Sequence, residues 1–252
     1  MKKSFSLVII ILSMVLLLGL CFSSFAGNHT DKENTFENSQ TQAVDYSSLV
    51  YTALGDSITW GAYNGIQIEK SYSVLVGENL DLISVKNMSK GGYTLSKGSL
   101  YGSIQDAVNY VPTYSNIVSV LGGTNDFAQS MPLGSIDNYD VNTIYGGLHY
   151  IAKTLINRCP NAFIFFMTAL PLGDTKLEQY HESERTIEEI NIAIKEVADL
   201  YGIFVLDTYS LANFQNVMND KSVCDGCHPS PDFHKDNFAP LITKFIKDNY
   251  NK

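Results

Sequence analysis

From Leu49 onward the chain alternates short, nearly all-apolar runs with longer segments in which apolar residues recur at helical spacing. The short runs are Leu49–Leu54, Ile83–Asn87, Ile117–Leu121, Phe163–Thr168 and Ile203–Asp207. They carry β-branched and aromatic residues, as buried parallel strands do. Among the longer segments, Ile144, Leu148, Ile151, Leu155 and Ile156 fall on one helical face. Ile187, Ile190, Ile194, Val197 and Tyr201 share a second face, and Phe238, Leu241, Ile242, Phe245 and Ile246 a third. Strands alternating with helices imply right-handed crossovers. The expected fold is a three-layer α/β/α sandwich around a central parallel, flavodoxin-like five-stranded sheet, spanning residues 48–252.

The first residues break this pattern. Lys2 and Lys3 precede an apolar run from Leu7 to Cys21, and Ser24-Phe25-Ala26 places small residues before a cleavage point. That is the layout of an export signal, residues 1–26, cut after Ala26. An uncleaved membrane anchor is the alternative reading. Residues 27–47 are polar and read as a flexible tether. Export would place the mature chain outside the cell, with no stable membrane insertion after cleavage.

The full chain has 252 residues, 45% of them hydrophobic, and a net charge of −9. Loss of the signal removes two lysines and no acid, making the remainder two units more negative. An acidic chain lacks the basic surface that phosphate contacts need, so no nucleic-acid partner is expected. A monomer is the expected state. Of the four cysteines, Cys159, Cys224 and Cys227 follow the signal. Outside the cell Cys224 and Cys227 could pair, while Cys159 reads as a small buried residue.

Ligand sites of open parallel sheets lie at the carboxyl ends of the strands. The unusual glycine-rich, polar segments of this chain fall there. Gly55-Asp56-Ser57-Ile58-Thr59 follows the first strand and Asn87-Met88-Ser89-Lys90-Gly91-Gly92 the second. Gly122-Gly123-Thr124-Asn125-Asp126 follows the third, and Cys224-Asp225-Gly226-Cys227-His228-Pro229 lies beyond the fifth. A serine is a weak nucleophile until a base takes its proton. Ser57 as nucleophile, His228 as base and Asp225 as the group that orients the imidazole would supply that chemistry. Backbone N–H groups of Ser57 and Gly92, with the Asn125 amide, are candidate oxyanion-hole donors. Taken singly, each segment is also an ordinary turn or helix start, with Thr124 or Asn125 as a cap. Their order at successive strand ends is what points to a site.

These four segments resemble the motif blocks of the SGNH, or GDSL-type, esterase and lipase family. Gly55-Asp56-Ser57 is similar to the nucleophile block. The resemblance implies Ser57 as catalytic serine, Asn125 as an oxyanion donor, and Asp225 with His228 from the closing Asp-x-x-His-Pro block. Gly92 best matches the family's oxyanion glycine, with Gly91 as a one-residue rival. The Gly-x-Ser-x-Gly elbow of the α/β-hydrolases is missing, since Thr59 occupies its last position. Lys90 stands where smaller residues are common, and Cys224 and Cys227 bracket Asp225.

The resemblance implies a secreted serine esterase that needs no metal or organic cofactor. Its expected substrate is a small-molecule or polysaccharide ester, with short acyl groups such as acetyl on carbohydrate. A lipase, lysophospholipase or acyltransferase of the same fold is the alternative. A non-catalytic carbohydrate-binding module, using Trp60, Tyr63, Tyr93 and Tyr101, is an alternative of another class. Cys224-x-x-Cys227-His228 also fits a haem-attachment pattern, and Cys224, Cys227, His228 and His234 a zinc site. Haem would leave the Gly-Asp-Ser and Gly-Gly-Thr-Asn segments without a task, and the tight spacing and acidic neighbours speak against zinc. His29, His149 and His181 read as ordinary surface residues, His234 as the start of the last helix, and Asp207 as structural.

Overall fold

The structure is a computed structural model and describes residues 44–180, 182–184, 186–220 and 224–251. The signal, most of the tether and His181 therefore lie outside the described residues, and one compact unit begins at Val44. Five strands form the main sheet: β1 (Val50–Gly55), β2 (Ser84–Asn87), β3 (Ile117–Leu121), β4 (Phe163–Met167) and β5 (Phe204–Leu206). All their pairings are parallel and the order is β2-β1-β3-β4-β5, the expected flavodoxin-like arrangement.

Alternation along the strands builds the two outer layers. Leu54, Val118, Val120, Ile164 and Phe166 face one side. There they meet α3 (Ile104–Val108), α5 (Ile144–Arg158) and α7 (Ile187–Leu200). Tyr51, Ala53, Ile117, Phe163, Phe165 and Met167 face the other side. They pack on α2 (Tyr72–Asn79) and on α10 (Ala239–Asn249). Phe165 has no exposed surface, and its burial contributes roughly 1.5–3 kcal/mol of transfer free energy. Polar side chains inside the sheet are paired, Tyr51 Oη with Ser119 Oγ at 2.7 Å and Thr52 Oγ1 with Ser115 Oγ at 2.8 Å.

Several sequence expectations change at the edges. Leu49, Ile83, Thr168, Ile203 and Asp207 fall just outside the strands. β2 and β5 are the edge strands and are only partly covered, so Ile83 is 67% exposed. His149 is buried, not a surface residue: α5 carries it between Tyr201 Oη (3.0 Å from Nδ1) and the Ile136 carbonyl (2.7 Å from Nε2). His234 does not open an α-helix. It begins a π-helical turn, His234–Phe238, between the one-turn helix Pro231–Phe233 and α10. Its ring is fully buried, Nδ1 accepts from Tyr72 N at 3.0 Å, and burial pushes its pKa down to about 4. Cys159 is buried as expected. Asp207 is structural, held by Lys195 Nζ at 2.6 Å. No helix among the described residues is long and apolar enough to cross a membrane.

A two-stranded hairpin, Ala62–Tyr63 with Ile66–Gln67, was not anticipated. Its turn is Asn64-Gly65, with Asn64 at φ 49°. Asn-Gly between apolar residues is a strong hairpin signal.

Candidate active site

β1 ends at Gly55, where any Cβ would lie 2.1 Å from Thr59 Oγ1 and 2.7 Å from the Leu121 carbonyl. Only glycine lets the chain turn this tightly into α1 (Ser57–Trp60). Asp56 caps the new helix, accepting from Ile58 N at 2.9 Å. Ser57 is thereby the first helical residue, at the carboxyl edge of the sheet. Asn87, at the end of β2, donates to the Thr59 carbonyl at 2.7 Å and ties α1 to the neighbouring strand.

The other half of the site comes from near the end of the chain. Residues Asp225–His228 make a tight turn, with Asp225 N donating to the His228 carbonyl at 3.3 Å and a bridge pairing Cys224 with Pro229. Asp225 Oδ1 accepts from the N–H groups of Cys227 (3.0 Å) and His228 (2.8 Å). Its Oδ2 faces His228 Nδ1 at 3.0 Å and also accepts from Asn64 N at 3.3 Å. His228 Nε2 lies 2.9 Å from Ser57 Oγ. Serine hydroxyl, imidazole and carboxylate thus form one hydrogen-bonded line across residues 171 positions apart in sequence.

The electrostatics follow from this line. Burial alone would raise the Asp225 carboxyl, but the His228 ring and the two turn N–H groups hold it well below the usual carboxylate range. Burial alone would lower the His228 imidazole; Asp225 and the adjacent Cys227 thiol outweigh it and hold it above its ordinary value. Asp56 behaves differently. It is fully buried, and desolvation raises its pKa to about 6 despite the Ile58 N–H and the His228 charge.

The remaining predicted residues come from the ends of the two strands that flank β1. Asn125 opens onto the same edge from α4 (Thr124–Ala128), a helix capped by Gly123 rather than by Thr124 or Asn125. Its Nδ2 donates to the Tyr93 carbonyl at 2.9 Å and reaches Asp56 Oδ2 at 3.5 Å. The next residue, Asp126, accepts from Leu95 N, Ser96 N and Ser96 Oγ, fixing the loop after β2 against α4. Gly92 sits in that loop at φ 83°, and a Cβ on it would meet the Tyr101 side chain at 2.7 Å. A Cβ on Gly91 would instead face Ser57 Cβ at 3.9 Å. Among the described residues, the N–H groups of Ser57, Gly91 and Gly92 have no protein acceptor. Such donors beside a serine can receive negative charge that develops on a carbonyl oxygen.

The two loop cysteines are free. Cys224 turns into the core, its Sγ accepting from Gly226 N at 3.3 Å and lying 3.6 Å from Met218 Sδ, whereas Cys227 is half-buried. The pairing that the sequence left open is not formed here: one sulfur faces the core while the other stays with the turn. The zinc grouping does not assemble either. His234 is committed to Tyr72, and no cluster of three metal-ligating side chains occurs among the described residues. Sequence reasoning missed Asn64, Asn87 and the Tyr93 carbonyl as supports of the site. The Asn64-Gly65 turn signal could have found the first.

Residues 53–235 match the GDSL-like Lipase/Acylhydrolase family. Among solved structures, a protein from Lactobacillus plantarum is 23% identical with a TM-score of 0.70, over 80% of this chain and 98% of that one. A possible lipase from Chitinophaga pinensis is 19% identical with a TM-score of 0.62, over 80% and 98%. The M. smegmatis aryl esterase is 14% identical with a TM-score of 0.59, over 80% and 99%. At these identities the likeness is one of fold. Among curated proteins none matches.

Proposed function

Because the chain belongs to the GDSL-like lipase/acylhydrolase family, we propose that it is an exported serine esterase working by two-step acyl transfer. The observation that carries this reading is the hydrogen-bonded line from Ser57 Oγ through His228 to Asp225. The unprotonated form of His228 accepts the Ser57 proton at Nε2 as Oγ attacks the ester carbonyl. Asp225, acceptor-only because it is ionised, keeps the ring proton on Nδ1 and stabilises the imidazolium that forms. The N–H groups of Ser57 and Gly92 and the Asn125 amide receive the oxyanion, with Gly91 as the neighbouring donor. His228 then protonates the leaving alcohol. A water, deprotonated by the same Nε2, releases the carboxylic acid and restores Ser57.

The substrate in this reading is a short acyl ester, acetyl in the first instance, on carbohydrate. Two features support it. Trp60 lies one helical turn beyond Ser57 and is 36% exposed, and Tyr101 packs on Gly92 while 61% exposed. Aromatic faces beside a reacting centre suit the flat, C–H-rich faces of sugars. The export reading of residues 1–26 would also bring the enzyme to extracellular polymers. The test is hydrolysis of p-nitrophenyl acetate by wild type and by Ser57→Ala, followed by an acyl-length series. Turnover that survives Ser57→Ala refutes the mechanism. A rate that climbs steadily toward long acyl chains refutes the short-acyl preference.

A further inference from the structure

Beside Asp225, with His228 outside its lining, lies a groove of about 410 Å³, within the size range of ligand sites. Its walls include Asn64, Thr175, Lys176, Gln179, Asn219 and Asp225 itself. We infer that this groove is a subsite for a neutral glycosyl unit of a polymeric substrate, next to the unit whose ester reaches Ser57.

The hydrogen-bonding chemistry supports this occupant. Asn219 Oδ1 accepts from Asp174 N at 2.8 Å, which leaves its amide hydrogens free and fixed in direction. Lys176 Nζ donates to Gln179 Oε1 at 3.1 Å and does the same for Gln179. Among the described residues, Asn219 Nδ2, Gln179 Nε2 and the Thr175 hydroxyl have no protein partner. Two amides with their oxygens held present donors at reduced entropic cost, and hydroxyl oxygens are their natural acceptors. An anionic ligand is disfavoured: the Asp225 carboxylate forms part of the wall and balances the one lining ammonium, Lys176, and the chain carries −9 overall. A purely apolar ligand would strand the polar walls. The groove is separated from Ser57 by two successive hydrogen bonds, of 2.9 and 3.0 Å, so its occupant is a neighbour of the esterified sugar rather than that sugar.

This subsite rests on the carbohydrate-ester reading above, and the test separates the two. The full chain is titrated calorimetrically with xylohexaose and cellohexaose, and with hexagalacturonate as an anionic control, while p-nitrophenyl acetate turnover is followed in parallel. Wild type should bind at least one neutral hexasaccharide and not the anionic one. Asn219→Ala combined with Gln179→Ala should weaken that binding about tenfold with acetate-ester turnover unchanged. No binding of either neutral chain, preference for the anionic one, or equal binding by the double variant overturns the subsite. Binding without any p-nitrophenyl acetate hydrolysis leaves the subsite standing and overturns the esterase reading alone. Thermal melts of the double variant check that it is folded.

Discussion

Replacing Asp225 by Asn is the perturbation whose outcome the geometry fixes most tightly. The carboxylate now accepts on both oxygens, with two turn N–H groups at 2.8 and 3.0 Å on Oδ1 and the His228 ring at 3.0 Å on Oδ2. An amide has one acceptor oxygen. The two backbone N–H groups of the turn claim it, leaving the amide NH₂ to face Nδ1. That donor favours the ring with its lone pair on Nδ1 and its proton on Nε2. In that tautomer His228 cannot accept from Ser57. The imidazolium also loses the nearby negative charge that stabilises it. Together these losses should lower kcat by about 10⁴-fold, or roughly 5.5 kcal/mol of barrier. The assay is p-nitrophenyl acetate turnover across pH, with a thermal melt to show that the turn survives. Retention of activity within about tenfold of wild type would refute the assignment of Asp225 as the orienting group.

Three further outcomes follow from the same geometry. Asn125→Ala should cut kcat by about 10²–10³-fold, or roughly 3–4 kcal/mol, with little change in folding, as measured by steady-state kinetics beside circular dichroism. Asp56 is buried with its pKa raised to about 6, so the folded state binds its proton more tightly than the unfolded state does. Stability therefore falls as pH rises from the ordinary carboxylate range through 6, and Asp56→Asn, which keeps an N-cap, should gain on wild type by on the order of 2–3 kcal/mol between pH 4 and 7.5 in pH-dependent denaturation. With Cys159, Cys224 and Cys227 unbonded, the free-thiol count of the denatured protein should be the same before and after reductant; a rise would show that Cys224 and Cys227 pair.

Much of the fold is legible because the sheet is buried on both faces. Central strands such as Phe163–Met167 are continuous apolar runs, which pattern reading detects directly. The edge strands blur for the opposite reason: Ile83, just ahead of β2, is apolar yet exposed, so hydrophobicity does not mark where the strand begins. The candidate site is legible where short motifs end strands, since Ser57, Asn125, Asp225 and His228 each stand in a distinctive local sequence. Its supports are not, apart from the Asn64-Gly65 turn. Asn64 reaches Asp225 through a backbone N–H and Tyr93 meets Asn125 through a carbonyl, and main-chain groups leave no residue-type signature. His149 looked like a surface residue because its burial depends on Tyr201 and Ile136, both distant in sequence.

The nucleophile itself is open to direct trapping. Incubation of the protein with a fluorophosphonate, followed by peptide mass spectrometry, should give one adduct on Ser57, with labelling slowed strongly in His228→Ala. Ester hydrolysis that continues while Ser57 stays unmodified, or an adduct on a different residue that abolishes activity, would contradict nucleophilic attack by Ser57.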